Sequence, residues 1–274
     1  MRGVSNILNK NYKILIKGSG DIASGIACRL FECGFSIIMT EIPKPTAIRR
    51  TVSFCTAVYK GSFELEGIKA ILCKDLSDCL CAVSNGNIGV IVDELAEIKN
   101  EWKPDIIIDA ILAKKNLGLE KEDAPITIGI GPGFCAQTDC DCVIESQRGH
   151  DLGRCIYDGY AAPDTGVPGE IGGYAKERVI KSPSSGIYKD IIHIGDHVKK
   201  GHILALVDDV PVRASIDGIL RGQLKGGLFV QSGMKVADID PRAQIDHCFS
   251  VSDKARSLGG GVLEAILKIG REKF

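Results

Sequence analysis

KGSGDIASG, Lys17 to Gly25, decides how the first half of the chain reads. It follows the apolar run Tyr12 to Ile16 and leads into Ile22, Ala23, Ile26, Ala27 and Leu30 at helical spacing, so the order is strand, glycine turn, helix. Gly18, Ser19, Gly20, Asp21, Ile22 and Ala23 fit G-x-G-x-x-A, a permitted form of the dinucleotide fingerprint. The first glycine makes the turn, the second lets a phosphate approach the backbone, and the small Ala23 lets helix and strand pack closely. Asp21 cuts against that reading. A carboxylate in the first helical turn offsets the helix dipole and caps free amides with no ligand, and it repels a phosphate placed there. Nucleotide binding and an ordinary strand-to-helix turn both stand on these residues; with a nucleotide bound, Asp21 would hold a bridging cation or a ribose.

Outward from the loop, Glu41 closes the second apolar strand where dinucleotide folds put an acid on the ribose hydroxyls. Arg49 and Arg50 follow, and adjacent arginines offer forked hydrogen bonds to a 2′-phosphate or a pterin phosphate. Helical geometry turns neighbours about 100° apart, so one of the two is expected to face solvent. In DAILAKKN, Asp109, Lys114 and Asn116 stand just beyond a strand end, where ligands of open parallel sheets bind; a solvated loop explains Lys115 equally well. GIGPGF, Gly129 to Phe134, is either a tight turn or a close ligand approach. TDCDCVIESQRGHDLGR concentrates Asp139, Asp141, Glu145, Arg148, His150, Asp151 and Arg154, and His150 between two arginines suits an acid, a base or a phosphate contact. Cys140 and Cys142, with Cys135 nearby, invite a metal reading, but zinc sites use C-x2-C pairs and four ligands, so no metal ligands are expected.

The 274 residues carry 34 Lys and Arg against 35 Asp and Glu, a net charge of −1, so no global field recruits nucleic acid or anionic lipid. Apolar runs fall short of a membrane span, and MRGVSNILNKNYK has no signal-peptide core, which places the protein in the cytoplasm. In that reducing compartment the 11 cysteines are expected to be free, most of them as small buried hydrophobes.

Between residues 13 and 178, runs such as KILIK, SIIMT, IGVIVD, DIIIDA and ITIGI alternate with helical patterns at Ile22–Cys33 and Thr46–Tyr59, with a small hairpin at Gly67. Near-continuous apolar strands are covered on both faces. The fold class is therefore α/β, with a Rossmann-like, mostly parallel sheet domain over 13–178. After residue 179, glycines punctuate short β segments. Gly186 to Gly201 is answered by Gly218 to Gly233 at the same spacing, and two such short units must clasp each other about a pseudo-twofold. Residues 179–243 thus resemble the sandwiched-hairpin β-barrel of biotinyl and lipoyl carriers, with GDHVKKG, Gly195 to Gly201, as the recurring turn. The carriers' modifiable lysine is missing from the tip at Asp208 to Val212, so swinging-arm attachment is not expected. Residues 244–274 form a C-terminal helical segment, with the helix near Gly261 to Ile269.

KGSGDIASGIACRL, TEIPKPTAIRRTVSF, DAILAKKNLG, IGIGPGF, ESQRGHDLGR, DTGVPGEIGG, SPSSGIY, IGDHVKKG, DGILRG, DIDPR and SDKARSLGGGVLEAIL occur in this order over residues 14–268. In them the chain resembles the YqeB-type accessory proteins of selenium-dependent molybdenum hydroxylase systems. The resemblance implies a role in maturing a molybdenum hydroxylase of the xanthine dehydrogenase type that uses a labile selenium. It supplies no reaction step and no established catalytic residue, and the cysteine-rich TDCDC departs from its pattern.

The function expected is an accessory protein that binds a nucleotide-type ligand, either the molybdenum cofactor or its dinucleotide form, at Gly18–Ala23 and presents it to the apo-hydroxylase. Gly18, Ser19, Gly20 and the helix N-terminus would receive phosphate, and Glu41 a hydroxyl. Arg49 or Arg50 with Lys114 would supply counter-charge, and Asp21 and His150 any chemistry. Two alternatives remain: an NAD(P)-dependent oxidoreductase, and a non-enzymatic scaffold for the apo-hydroxylase. Homo-oligomerisation is open.

Overall fold

The computed structural model describes residues 12–167 and 169–273. The amino-terminal stretch read above for a leader lies almost wholly outside them. Strands form where apolar residues run without interruption: β1 (Lys13–Lys17), β2 (Ser36–Glu41), β3 (Ser62–Leu65), β4 (Ile68–Cys73), β5 (Ile88–Val92), β6 (Ile106–Asp109), β7 (Ile126–Ile130), β8 (Cys135–Ala136), β9 (Cys142–Ile144), β10 (Cys155–Ile156) and β11 (Gly159–Tyr160). Nine of them make one sheet in the order β10-β9-β7-β6-β1-β2-β5-β4-β3, and β11 pairs with β8. The interior pairings are parallel, whereas β3 and β10 join antiparallel at the two edges. β7 is buried at all five positions, as a strand covered on both faces must be.

Helices α1 (Asp21–Glu32), α2 (Thr56–Lys60), α3 (Leu76–Ser84) and α4 (Ile98–Trp102) follow strands in the same unit, and α5 (Asp253–Lys273) returns to it at the end of the chain. A Cβ on Gly25 of α1 would stand 2.5 Å from Ala255 Cβ, and one on Gly259 3.0 Å from Arg29 Cβ, so absent side chains set the close packing of α1 on α5. The core of this unit gathers Leu15, Ile38, Ile107, Trp102, Phe134 and Val143.

Two compact units divide the chain: one runs up to Pro45, then Phe54–Asp164, then from Val251 on; the other is Thr46–Ser53 with Thr165–Ser250. This differs from the serial division 13–178, 179–243 and 244–274. The C-terminal helix belongs to the sheet unit because its apolar face, including Leu258, Val262 and Ile266, is buried there. The helical spacing of Thr46–Tyr59 gives no single helix. Its first part leaves for the second unit, with one 3-10 turn at Arg50–Val52, and only Thr56–Lys60 is α-helical.

The second unit is two antiparallel sheets. One has the order β12 (Val179–Lys181), β19 (Lys235–Asp240), β17 (Gly218–Gln223), β14 (His197–Val198); the other β16 (Val210–Arg213), β15 (Ile203–Val207), β13 (Gly186–Asp190), β18 (Phe229–Val230). The two copies of the repeat clasp by exchanging strands. Gly186 pairs with Val230, and Gly218 with Val198, so each copy's long strand takes the short strand of the other. Gly186 and Gly218 sit at φ 155° and 156°, a backbone open to glycine. No ladder among the described residues joins the two sheets, so the expected barrel is not closed. Tyr188, Leu204, Leu220 and Val236 lie in their shared core. Among the described residues no helix is long and apolar enough to cross a membrane.

Candidate functional site

Strand order reverses beside β1, which has β2 on one side and β6 on the other, and open parallel sheets bind ligands at the carboxyl ends flanking such a point. Lys17 and Asp109 end these two strands as register partners. Lys17 Nζ lies 3.1 Å from Asp109 Oδ2, with side chains 4% and 2% exposed, and Asp109 Oδ1 accepts from the Ile111 N–H at 3.2 Å. Burial pushes the Asp109 carboxyl above its usual range, and the Lys17 charge only partly offsets that. A buried pair in this position holds the strand ends together and leaves little of Asp109 for a ligand.

Gly18 follows at φ 88°, and a Cβ there would meet the backbone of Ala110 and Ile111 at 3.2–3.3 Å. Its N–H bonds Thr40 O at 3.0 Å. Gly20 is different. It caps α1 at φ −69°, ψ −174°, no side chain caps the helix with it, and a Cβ built on it meets nothing within 4 Å. Space is therefore open at one face of the turn. Ala23 is fully buried, consistent with close helix packing.

The neighbouring amide is occupied. Glu41 Oε2 accepts from Ser19 N at 3.0 Å and from Ser19 Oγ at 2.8 Å, while Oε1 accepts from its own neighbour Ile42 N at 2.9 Å. Glu41 is thus turned onto the loop, and its carboxylate does the capping that a phosphate would do. Asp21 is half-buried and its Oδ1 accepts from Ile22 N at 2.9 Å.

The other expected residues separate. Arg49 and Arg50 belong to the second unit, where Arg49 donates to the carbonyls of His247 and Ser250, and Arg50 to Gln223 O and Asp190. Asn116 closes a turn on Gly118 and Leu119. Lys114 pairs with Asp164 at 2.6 Å on the surface, and His150 is exposed in the 148–153 turn. The glycines of GIGPGF answer to packing: a Cβ on Gly129 would strike Phe134, one on Gly131 Ser146, and one on Gly133 the backbone of Lys114 and Lys115.

Glu145, from the titratable cluster of the sequence, and Lys254, outside the expected set, lie within electrostatic reach of each other. Glu145, beyond the end of β9, is 5% exposed and accepts from Gln147 N at 2.6 Å and Ala162 N at 2.7 Å; it borders a cleft of about 390 Å³ that Cys155 and Tyr157 also line. Lys254, in the first turn of α5, is half-buried. Burial lowers its pKa, Arg148 adds to this, and the carboxylates of Asp21, Glu145 and Asp164 act in the opposite direction. The sequence holds a signal for it: a lysine at a helix N-terminus opposes the helix dipole, so its presence in SDKARS asks for another reason. An amine with raised neutral fraction, facing carboxylates, can accept a proton or pair with an anionic group.

The cysteines rearrange as well. Cys142 Sγ donates to Val143 O at 3.6 Å and Cys155 Sγ to Gly261 O at 3.1 Å, and the interaction between the two thiols raises the pKa of Cys142 well above its usual range and lowers that of Cys155. Cys140 is fully buried and burial pushes it up to about 12. All 11 cysteines are free thiols, and no group of three metal-ligating side chains occurs among the described residues.

Over 256 residues, 93% of the chain, the sequence is 46% identical to YqeB of Escherichia coli (strain K12), an uncharacterized protein. The chain is a YqeB homologue. It spans 47% of the length of YqeB, about half of that protein, and a match of this extent takes in parts of both units. No family model matches. Solved structures give weak likenesses to this chain: the ectoine utilization protein EutE (DoeB) from Ruegeria pomeroyi, 23% identical over 31% of this chain and 27% of that chain at TM-score 0.21; and an aspartoacylase family protein from Mesorhizobium loti, 11% identical over 79% and 60% at TM-score 0.26. At such scores they carry no argument about function.

Proposed function

We propose that the chain is a cytoplasmic accessory protein for maturing a selenium-dependent molybdenum hydroxylase, and that its sheet unit works as a Rossmann-like carrier of a nucleotide-type cargo. The molybdenum cofactor or its dinucleotide form is that cargo, and the apo-hydroxylase receives it. The antiparallel unit acts as a biotinyl/lipoyl-type module without the lysine of the carriers. The family resemblance supports the hydroxylase assignment. The observation that carries the ligand reading is the open space at Gly20, the N-cap of α1, where no cap side chain bonds the helix and a Cβ would meet nothing within 4 Å.

The ligand approaches Gly20 with its polar part toward Asp21 and Lys254. Because Glu41 already caps Ser19, the group received there is a hydroxyl or a charge-shared phosphate edge, with Lys254 as its cation. Asp21 holds a ribose hydroxyl, and Glu145 keeps the 145–162 loop in place through its two amide bonds.

Calorimetric titration with the cofactor, its dinucleotide form, NAD and NADP tests this. Heat from a cofactor form, lost in Lys254→Met, is expected; silence from all four rejects the ligand reading. A second reading, a non-enzymatic scaffold, draws on the Ser19–Glu41 bonds, which satisfy the loop without any guest. It predicts unchanged hydroxylase maturation when Asp21 and Lys254 are replaced by alanine.

A further inference from the structure

We propose that the second unit contains a built receptor for a tetrahedral oxyanion, with Arg221 as its central donor. Three segments of that unit, PTAIRR, DGILRG and DIDPR, converge on it. On β17 and β19, Leu220 pairs with Ile239 and the next residue in register, Gly222, pairs with Asp238, so Arg221 is the extra residue of a β-bulge. Bulges re-aim a side chain out of the ladder. Gly222 beside it admits Ile48, whose carbonyl oxygen would stand 2.9 Å from any Cβ there, so the Thr46–Ser53 segment carrying Arg49 lies directly against the bulge.

Arg221 is only 7% exposed, yet its guanidinium donates no hydrogen bond to any described residue, and its Nε is buried without an acceptor. The carboxylates nearby are engaged elsewhere. Asp238 takes Arg178, and Asp240 takes Arg242 through Nε at 3.0 Å and Nη2 at 2.7 Å and through the Arg242 N–H at 3.0 Å. What is left for Arg221 is Asp240 Oδ2 at 3.8 Å from Nε. Arg49, 9% exposed, adds a like charge within electrostatic reach. Asp238 and Asp240, the carboxylates that act on Arg221, are thus each held by another guanidinium, Arg178 and Arg242.

Burying a guanidinium without an acceptor is unfavourable, and folds keep such a group when a counter-ion fills the gap. A phosphate-like anion matches it: its oxygens accept from the forked donors of Arg221, and its negative charge offsets the positive charge that Asp240 at 3.8 Å meets only in part. The anion is either free or the phosphate end of a larger molecule. This receptor is independent of the Gly20 face of the sheet unit, and either can fail alone.

The test uses the full chain at fixed ionic strength set with sodium chloride, titrated by calorimetry with inorganic phosphate and, separately, with adenosine monophosphate, for wild type and Arg221→Met. Wild type is expected to bind phosphate, and the variant at least about tenfold more weakly. Phosphate binding alone identifies a free anion, and tighter binding of the monophosphate identifies an end group; both support the receptor. Phosphate binding absent from wild type, or unchanged in the variant, overturns it. Without phosphate, Arg221→Met is expected to melt no lower than wild type, because it removes a buried charge that has no hydrogen-bond acceptor and only a 3.8 Å ion pair. A variant that melts lower or fails to fold means that Arg221 already has its partner within the protein, and also overturns the proposal.

Discussion

Ser19 gives both its backbone N–H and its hydroxyl to one oxygen of Glu41, at 3.0 and 2.8 Å. Ser19 is fully buried, so these bonds are its exchange for water. Glu41→Ala strands both donors and is expected to cost about 1–3 kcal/mol of stability, whereas Glu41→Gln keeps an acceptor and costs less. Urea unfolding with an unchanged slope checks this. A Glu41→Ala chain as stable as wild type would mean that the carboxylate is not part of the loop's own structure.

The Lys17–Asp109 pair makes a second prediction. Asp109→Ala leaves an ammonium buried at 4% exposure and should destabilise by about 3–5 kcal/mol, while the double change Lys17→Met with Asp109→Leu is close to neutral. The pH dependence follows from the raised Asp109 pKa. The folded state holds this proton more tightly than the unfolded chain, so its contribution is fully present below the unfolded value near 3.9 and is lost as pH rises through the higher folded value. In acid melting series, Asp109→Asn should remove that component.

Gly20 separates folding from binding. Its φ of −69° suits any residue and a Cβ meets nothing, so Gly20→Ala should fold and gain about 0.4–1 kcal/mol from a less flexible unfolded chain. The added methyl projects into the space where the cargo is proposed to approach. Thermal stability unchanged or raised, with weaker cargo binding, is the expected pair of results.

Lys254 should react out of turn. With its pKa lowered, the amine is acylated by dilute acetic anhydride at a lower pH than the exposed lysines, whose reference value is about 10.4. Peptide mapping across a pH series reads this directly. Asp21→Asn removes a carboxylate that favours the ammonium form and should lower the apparent value further.

Much of the fold is legible because burial on both faces leaves a plain mark. KILIK and ITIGI become β1 and β7 with the bounds read from the sequence, and the hairpin at Gly67 forms with Glu66 and Gly67 at positive φ. The glycine repeat marks two copies that clasp, while the exchange of short strands between β13–β18 and β17–β14 that makes the clasp emerges only from the structure. α5 is longer than its pattern suggests, since Gly259 and Gly261 look like helix breakers but are there for close contact with Arg29 and Gly153. The site is less legible. Residue types mark Asp109 and Glu41 as candidates, but only the fold reveals that Lys17 and Ser19 occupy them. Arg49 and Arg50 follow Glu41 closely in sequence, and the chain has by then crossed into the other unit, a change that no local pattern announces.

A structure of the full chain with the dinucleotide form of the molybdenum cofactor tests the central claim most directly. The account predicts the ligand against Gly20, with a polar group within hydrogen-bond distance of Asp21 or Lys254. A ligand bound elsewhere, with the Gly20 face empty and Ser19 still held by Glu41, would contradict it.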